Sequence, residues 1–201
     1  HVDQHSACFY LQNPNIVFLG NDGGMYVSDN AGATWSVINN GLEITQFYAM
    51  AIDESKSNVN YGGTQDNGTV GNYSSSNWGA IAGGDGFSVI VDPDNPDIIY
   101  GEYYNGSLFK INLNTGLYKS ITRGIPSNDA GLWHSPLEIQ KSQRYLYHGR
   151  TALYISIDKG ESWDAMTKMA SNNISAIGVS QIDDLIVYCG YENGDVIITT
   201  N

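Results

Sequence analysis

CFYLQNPNIVFLGNDGGMYVSDNAGATWSVI, residues 8–38, decides the fold. An apolar run meets Asn-Pro-Asn, and a second run ends at Gly20. A glycine-rich turn, a third run, a polar turn and a fourth run carrying Trp35 follow. Four short strands joined by tight turns account for this order, because Gly supplies positive φ while Asn and Asp hydrogen-bond their own backbone.

The order returns along the chain. AMAIDESKSNVNYGGTQDNGTVGNYSSSNWGAI (49–81) ends its second run at Gly62 and puts Trp78 where Trp35 stood. FSVIVDPDNPDIIYGEYYNGSLFKINLNTGLYKSI (87–121) repeats the proline corner. LEIQKSQRYLYHGRTALYISIDKGESWDAM (137–166) carries Trp163, and IGVSQIDDLIVYCGYENGDVIITTN (177–201) starts the cycle again. A period of about 40–50 residues with four strands is that of a β-propeller blade. The sequence predicts an all-β propeller of four-stranded antiparallel blades over 5–43, 44–84, 85–124 and 132–170, with an incomplete fifth at 174–201. Four full blades and part of a fifth suggest one segment of a larger ring, such as one of seven blades, with cores forming between stacked blades. A β-sandwich is the alternative, but it leaves the repeated order unexplained.

Composition narrows the function. The 201 residues include 23 Gly and 14 Tyr and carry a net charge of −12. So acidic a surface repels phosphate backbones, which argues against nucleic-acid binding. No apolar run reaches the roughly 20 residues of a membrane span, and no signal peptide is visible. Two cysteines, Cys8 and Cys189, make no disulfide framework and read as buried thiols.

SIDKGESW, Ser156 to Trp163, fits S-x-D-x-G-x-[ST]-W at every defined position, and SDNAGATW (28–35) fits it with Asn30 in place of Asp. These turns resemble the Asp-box, or BNR repeat, of sialidases, xyloglucanase-type hydrolases and sortilin-type receptors. The resemblance implies a structural role for Ser28, Asn30, Gly32, Trp35, Ser156, Asp158, Gly160 and Trp163. Together HVDQH, GNDGG, GGTQDNGT and GGDGF make the chain similar to secreted bacterial BNR-repeat proteins of unassigned role. An exported or cell-surface protein is the implied setting. Sialidases use an arginine triad, whereas Arg123, Arg144 and Arg150 stand in no such context here.

Strand order gathers the loops after each second strand with the connections between blades. His1, Asp3, His5, Asp22, Asp66 and Asp85 are therefore expected at one mouth. If HVDQH is extended, His1, Asp3 and His5 point to one side and offer a metal set; Ca²⁺ or another divalent ion is the candidate, although no cofactor is required. Gln65, Asp66, Asn67, Asp85, Phe87, Trp133 and His134 suit a sugar, with Asx groups for hydroxyls and aromatic faces for the ring. Asp22, Asp66 and Asp85 are the candidate acid, base or nucleophile if the chain is a glycoside hydrolase. The leading expectation is a non-catalytic module binding glycan or protein at this acidic face. Hydrolysis, or assembly with further blades or other copies, are the alternatives.

Overall fold

The computed structural model describes residues 1–56, 58–73, 77–183 and 186–199, the side chain of residue 73 excepted. The described residues form nineteen strands and no helix. No helix is therefore long and apolar enough to cross a membrane. Two compact units divide the chain, His1–Gln46 and Phe47–Asn201.

Unit 1 is one sheet in the order β1 (Gln4–Phe9), β2 (Val17–Asn21), β3 (Gly24–Ser28) and β4 (Ser36–Val37). Unit 2 holds four more sheets built the same way. β5 (Phe47–Ile52), β6 (Val59–Thr64), β7 (Gly68–Tyr73) and β8 (Trp78–Ala82) form the first. β9 (Val89–Val91), β10 (Ile98–Tyr103), β11 (Ser107–Asn112) and β12 (Leu117–Ser120) form the second. β13 (Leu137–Gln140), β14 (Tyr145–Gly149), β15 (Leu153–Ser156) and β16 (Asp164–Ala165) form the third. The last has three strands, β17 (Ile174–Val179), β18 (Val187–Tyr191) and β19 (Val196–Thr199). Each strand pairs antiparallel with its sequence neighbour, so every sheet is a propeller-blade meander. Residues 200–201 lie outside the described residues.

The cores of unit 2 lie between successive sheets. Val59, Tyr61, Val89, Ile99, Phe109 and Ile111 join the first to the second. Tyr100, Leu108, Leu137, Leu146, Tyr154 and Trp163 join the second to the third. Tyr147, Leu153, Ile174, Val187 and Cys189 join the third to the fourth. One meander has two apolar faces and must cover them with neighbours. Close backbone approach is part of this packing: a Cβ on Gly63 would sit 1.8 Å from the carbonyl oxygen of Phe87.

The two polar turns share one hydrogen-bond scheme. Gly160 N–H donates to Ser156 Oγ (2.8 Å), and Ser162 donates to Asp158 through N–H (2.9 Å) and Oγ (2.6 Å). Gly32 N–H donates to Ser28 Oγ (2.8 Å) and Thr34 N–H to Asn30 Oδ1 (2.8 Å). Gly160 and Gly32 have φ of 82° and 90°, the left-handed region that glycine tolerates. Trp163 is buried and donates Nε1–H to the Ile121 carbonyl at 2.6 Å, whereas Trp35 and Trp78 are exposed. One expectation needs correction. Cys189 is buried but Cys8 is exposed, because the whole of β1 is exposed.

Candidate ligand-binding site

In unit 1 the HVDQH segment does not run extended through its centre. Asp3 has φ of 54°, and β1 begins only at Gln4. The alternation that would align His1, Asp3 and His5 as a metal set is therefore broken, which corrects that expectation. The His1 ring packs beside Gly23, where a Cβ would meet its Cγ at 2.4 Å. His5 Nε2 lies 2.6 Å from Asp22 Oδ1, so Asp22 serves a local contact between β1 and the β2–β3 turn.

In unit 2 the corresponding turn, Gln65-Asp66-Asn67, joins β6 to β7 between the paired residues Thr64 and Gly68. Asn67 N–H donates to the Gln65 carbonyl (2.7 Å), and the central Asp66 has φ of 58°. A three-residue turn with positive φ at its centre is rare and strained. Neighbours hold it in place. Thr64 Oγ donates to the Gly68 carbonyl (2.6 Å), Tyr48 OH to Gln65 Oε1 (3.0 Å), and Asp66 N–H to Asp85 Oδ1 (2.9 Å). Asp85 also bridges to Gly68 in parallel fashion, which ties the connection entering β9 to the tip of β6–β7. Asp66 and Asp85 are thus neighbours, as strand order requires.

Aromatic side chains continue from this acidic pair. A Cβ on Gly84 would touch the Tyr103 ring at 2.2 Å, so Tyr103 lies against the residue before Asp85. Tyr103 and Tyr104 have ring centroids 3.8 Å apart. Tyr104 stacks on Trp133 at 5.3 Å and 2°. Trp133 is 50% exposed. Its backbone carbonyl accepts from Asn105 N–H (3.2 Å), which pins the segment before β13 to the β10–β11 turn. Phe87 is 0% exposed, so it does not reach a ligand. Its ring instead supports Trp133 (5.5 Å, edge-on), His134 (5.4 Å, stacked) and Tyr48 (4.7 Å).

The segment 127–136 is held from below. Asp129 is buried and accepts from Thr151 Oγ (2.6 Å) and Tyr154 OH (2.5 Å). Arg150 is buried too and donates to the carbonyls of Asp129 (2.5 Å) and Gly106 (2.7 Å). Buried charge is tolerated here because it is saturated with hydrogen bonds.

Glu102, in β10, stands behind His134. Its Oε1 accepts Ser135 N–H at 2.6 Å. Its buried Oε2 has no hydrogen-bond partner among the described residues. His134 Nε2 lies 3.8 Å from Oε2 and 3.1 Å from Ser88 Oγ. Burial pushes the Glu102 carboxyl up to about 8, against the backbone bonds from Ser135 and Ser88, and burial pushes His134 down. Both shifts favour the neutral form, so at neutral pH this contact is a neutral acid beside a neutral imidazole rather than an ion pair. Ser88 and Glu102 both face Nε2, an arrangement unlike that of a nucleophilic triad, whose acid holds the other ring nitrogen.

Sequence reasoning passed over Tyr48, Ser88, Glu102, Tyr103 and Tyr104. The tyrosines read as ordinary strand residues. Glu102 did carry a signal, a single acid inside the apolar strand IIYGEY.

No protein-family model matches the chain, and no curated protein matches it. Solved structures do. The GH74 xyloglucanase from Xanthomonas campestris superposes with TM-score 0.63 at 14% identity, covering 99% of this chain and 36% of that one. The extracellular domain of a one component system from B. thetaiotaomicron gives 0.63 at 16%, covering 96% of this chain and 26% of its own. YCF48 from Cyanidioschyzon merolae gives 0.56 at 14%, covering 99% and 67%. The chain thus spans about a third of the xyloglucanase's length. At these identities the likeness is one of fold, and it makes this chain a β-propeller segment.

Proposed function

We propose that the chain is a carbohydrate-binding propeller module of an exported protein, with its site on unit 2. The observation that carries this reading is the half-exposed Trp133, stacked on Tyr104 and backed by buried Phe87. A preorganised aromatic face beside hydrogen-bonding groups suits a pyranose ring, since the ring's C–H face packs on the aromatic while hydroxyls bond carboxylates and amides. Gln65, Asp66, Asn67 and Asp85 supply those groups, and His134 flanks them. The likeness to an extracellular domain and to a xyloglucanase accords with export and with sugars.

The test is isothermal calorimetry with hits from a glycan array. Trp133→Ala should weaken binding at least tenfold and Asp66→Ala several-fold, with thermal melting unchanged. Full affinity in both variants would overturn the reading. Exclusive capture of a protein ligand would overturn it as well.

A glycoside hydrolase is the second reading, favoured by the adjacency of Asp66 and Asp85. Glu102 has the raised pKa of a general acid, but it is 0% exposed and cannot touch substrate. Chromatography of oligosaccharides incubated with the protein distinguishes the two, since binding without cleavage excludes hydrolysis.

A further inference from the structure

We infer that this surface selects sugars bearing a protonated amine over neutral sugars and rejects uronates. The inference rests on the carbohydrate reading above and names the ligand class of the same site.

The side chains that form the surface are acidic, amide or aromatic, with the His134 imidazole, which burial keeps toward its neutral form, at their flank. Asp66 and Asp85 stand at one end, Tyr103 and Tyr104 follow, and Trp133 closes the other. A nearby cation, Arg150, is buried, and its guanidinium is committed to the carbonyls of Asp129 and Gly106 and to His148 Nε2. It offers nothing to an anionic ligand. Asp85 is oriented, because its Oδ1 accepts Asp66 N–H. Its charge is felt along the aromatic run. The Tyr103 hydroxyl is pushed up to about 12, first by its hydrogen bond to Tyr104, then by burial, with further contributions from the charges of Tyr104 and Asp85.

Two attractions therefore act on the amines of an oligosaccharide laid along the surface. The face of Trp133 attracts one amine through the indole quadrupole, the strongest among aromatic side chains. The Asp85 carboxylate, at the other end, attracts another by charge. A neutral sugar gains only stacking and hydrogen bonds. A uronate meets two carboxylates on a chain of net charge −12. Each attraction is modest at a half-exposed site, so together they favour the amine by roughly tenfold.

The experiment is calorimetry at about pH 6, where sugar amines are charged. The probes are the tetramers of glucosamine, N-acetylglucosamine, glucose and galacturonate, with tetralysine as a control for diffuse attraction. The glucosamine tetramer should bind about tenfold tighter than the glucose tetramer, and the galacturonate tetramer weakest. Asp85→Asn, which keeps an oxygen to accept Asp66 N–H, should bring glucosamine and glucose to parity. Raising ionic strength to about 0.5 M should narrow the gap as well. Asp66→Asn serves as a second neutralised variant if Asp85→Asn melts early. Equal or tighter binding of the glucose tetramer overturns the inference and leaves the carbohydrate reading standing. Tetralysine binding as tightly as the glucosamine tetramer, or a preference that survives both Asn variants, also overturns it. Binding of none of the sugars overturns both.

Discussion

Ser135 donates its backbone N–H to Glu102 Oε1 at 2.6 Å, and the acceptor is a carboxyl that solvent does not reach. Glu102 thereby holds the segment that presents Trp133 and His134, although burial, outweighing that bond, keeps its carboxyl neutral. Its folded value of about 8 lies above the ordinary 4.5. The folded chain therefore keeps a proton that the unfolded chain loses above pH 4.5. Stability should fall as pH rises from there toward 8, by up to about 1.4 kcal/mol per unit, and level off beyond. Glu102→Gln keeps an oxygen for Ser135 and cannot ionise. Urea midpoints from pH 5 to 9 should show the wild-type decline flattened in this variant; equal slopes would remove Glu102 as the cause.

The paired turns predict an asymmetry. Asp158 is opposed by burial, but hydrogen bonds from Ser162 and Ser156 outweigh it and hold the carboxyl down to about 2. A depressed carboxylate stabilises the fold above its unfolded value of 3.8 and loses that contribution as pH falls toward 2. Asp158→Ala should cost about 1–3 kcal/mol at neutral pH and weaken the acid limb of the stability profile. Asn30→Asp, at the equivalent position, should be neutral or mildly stabilising. Thermal melts of both variants at pH 3 and pH 7 check the pair.

The two thiols should separate cleanly. Cys8 is exposed, whereas Cys189 is buried and its thiol is pushed up to about 11 by that burial. Ellman's reagent should titrate one thiol rapidly in the native protein and the second only in denaturant. Rapid reaction of both would mean that the sheet of β17–β19 opens readily.

Gly63 offers a test of sheet-to-sheet packing. Alanine there would press its Cβ into the Phe87 carbonyl, a backbone atom that cannot rotate away. The expected loss is about 3 kcal/mol or more. Gly83→Ala, where nothing lies within 4 Å and φ is not positive, is the control and should change stability by less than about 0.5 kcal/mol. Calorimetric melting of the two distinguishes crowding from a general intolerance of alanine in this region.

The repeat carried the fold because each meander is specified locally. Gly20, Gly62, Gly101, Gly149 and Gly190 recur in the second strand of each sheet, though Gly62 and Gly101 lie inside strands that run on to Thr64 and Tyr103, and the polar turns close third strands onto fourth ones, so the architecture was readable from spacing. The candidate site was readable only in part. Asp66, Asp85, Trp133 and His134 stand in loops whose composition marks them. Tyr104 stacks on Trp133 from another sheet, and Glu102 reaches Ser135 from 33 positions away. Such pairings depend on how one sheet packs on the next, which no local pattern encodes. The failed expectations have the same origin: Phe87 is covered by its neighbours, and the backbone of Asp3 turns where a straight run was assumed.

The meander order also bears on how the chain acquires its structure during synthesis. In each sheet every strand pairs only with the strand before or after it. A sheet can therefore close soon after its own stretch leaves the ribosome, without waiting for distant sequence, and loop-closure entropy remains small at each step. Within unit 2, the apolar surface left open by each newly closed sheet is covered when the next one docks. The interval between those events, set by translation speed, is when the nascent chain is most exposed to aggregation.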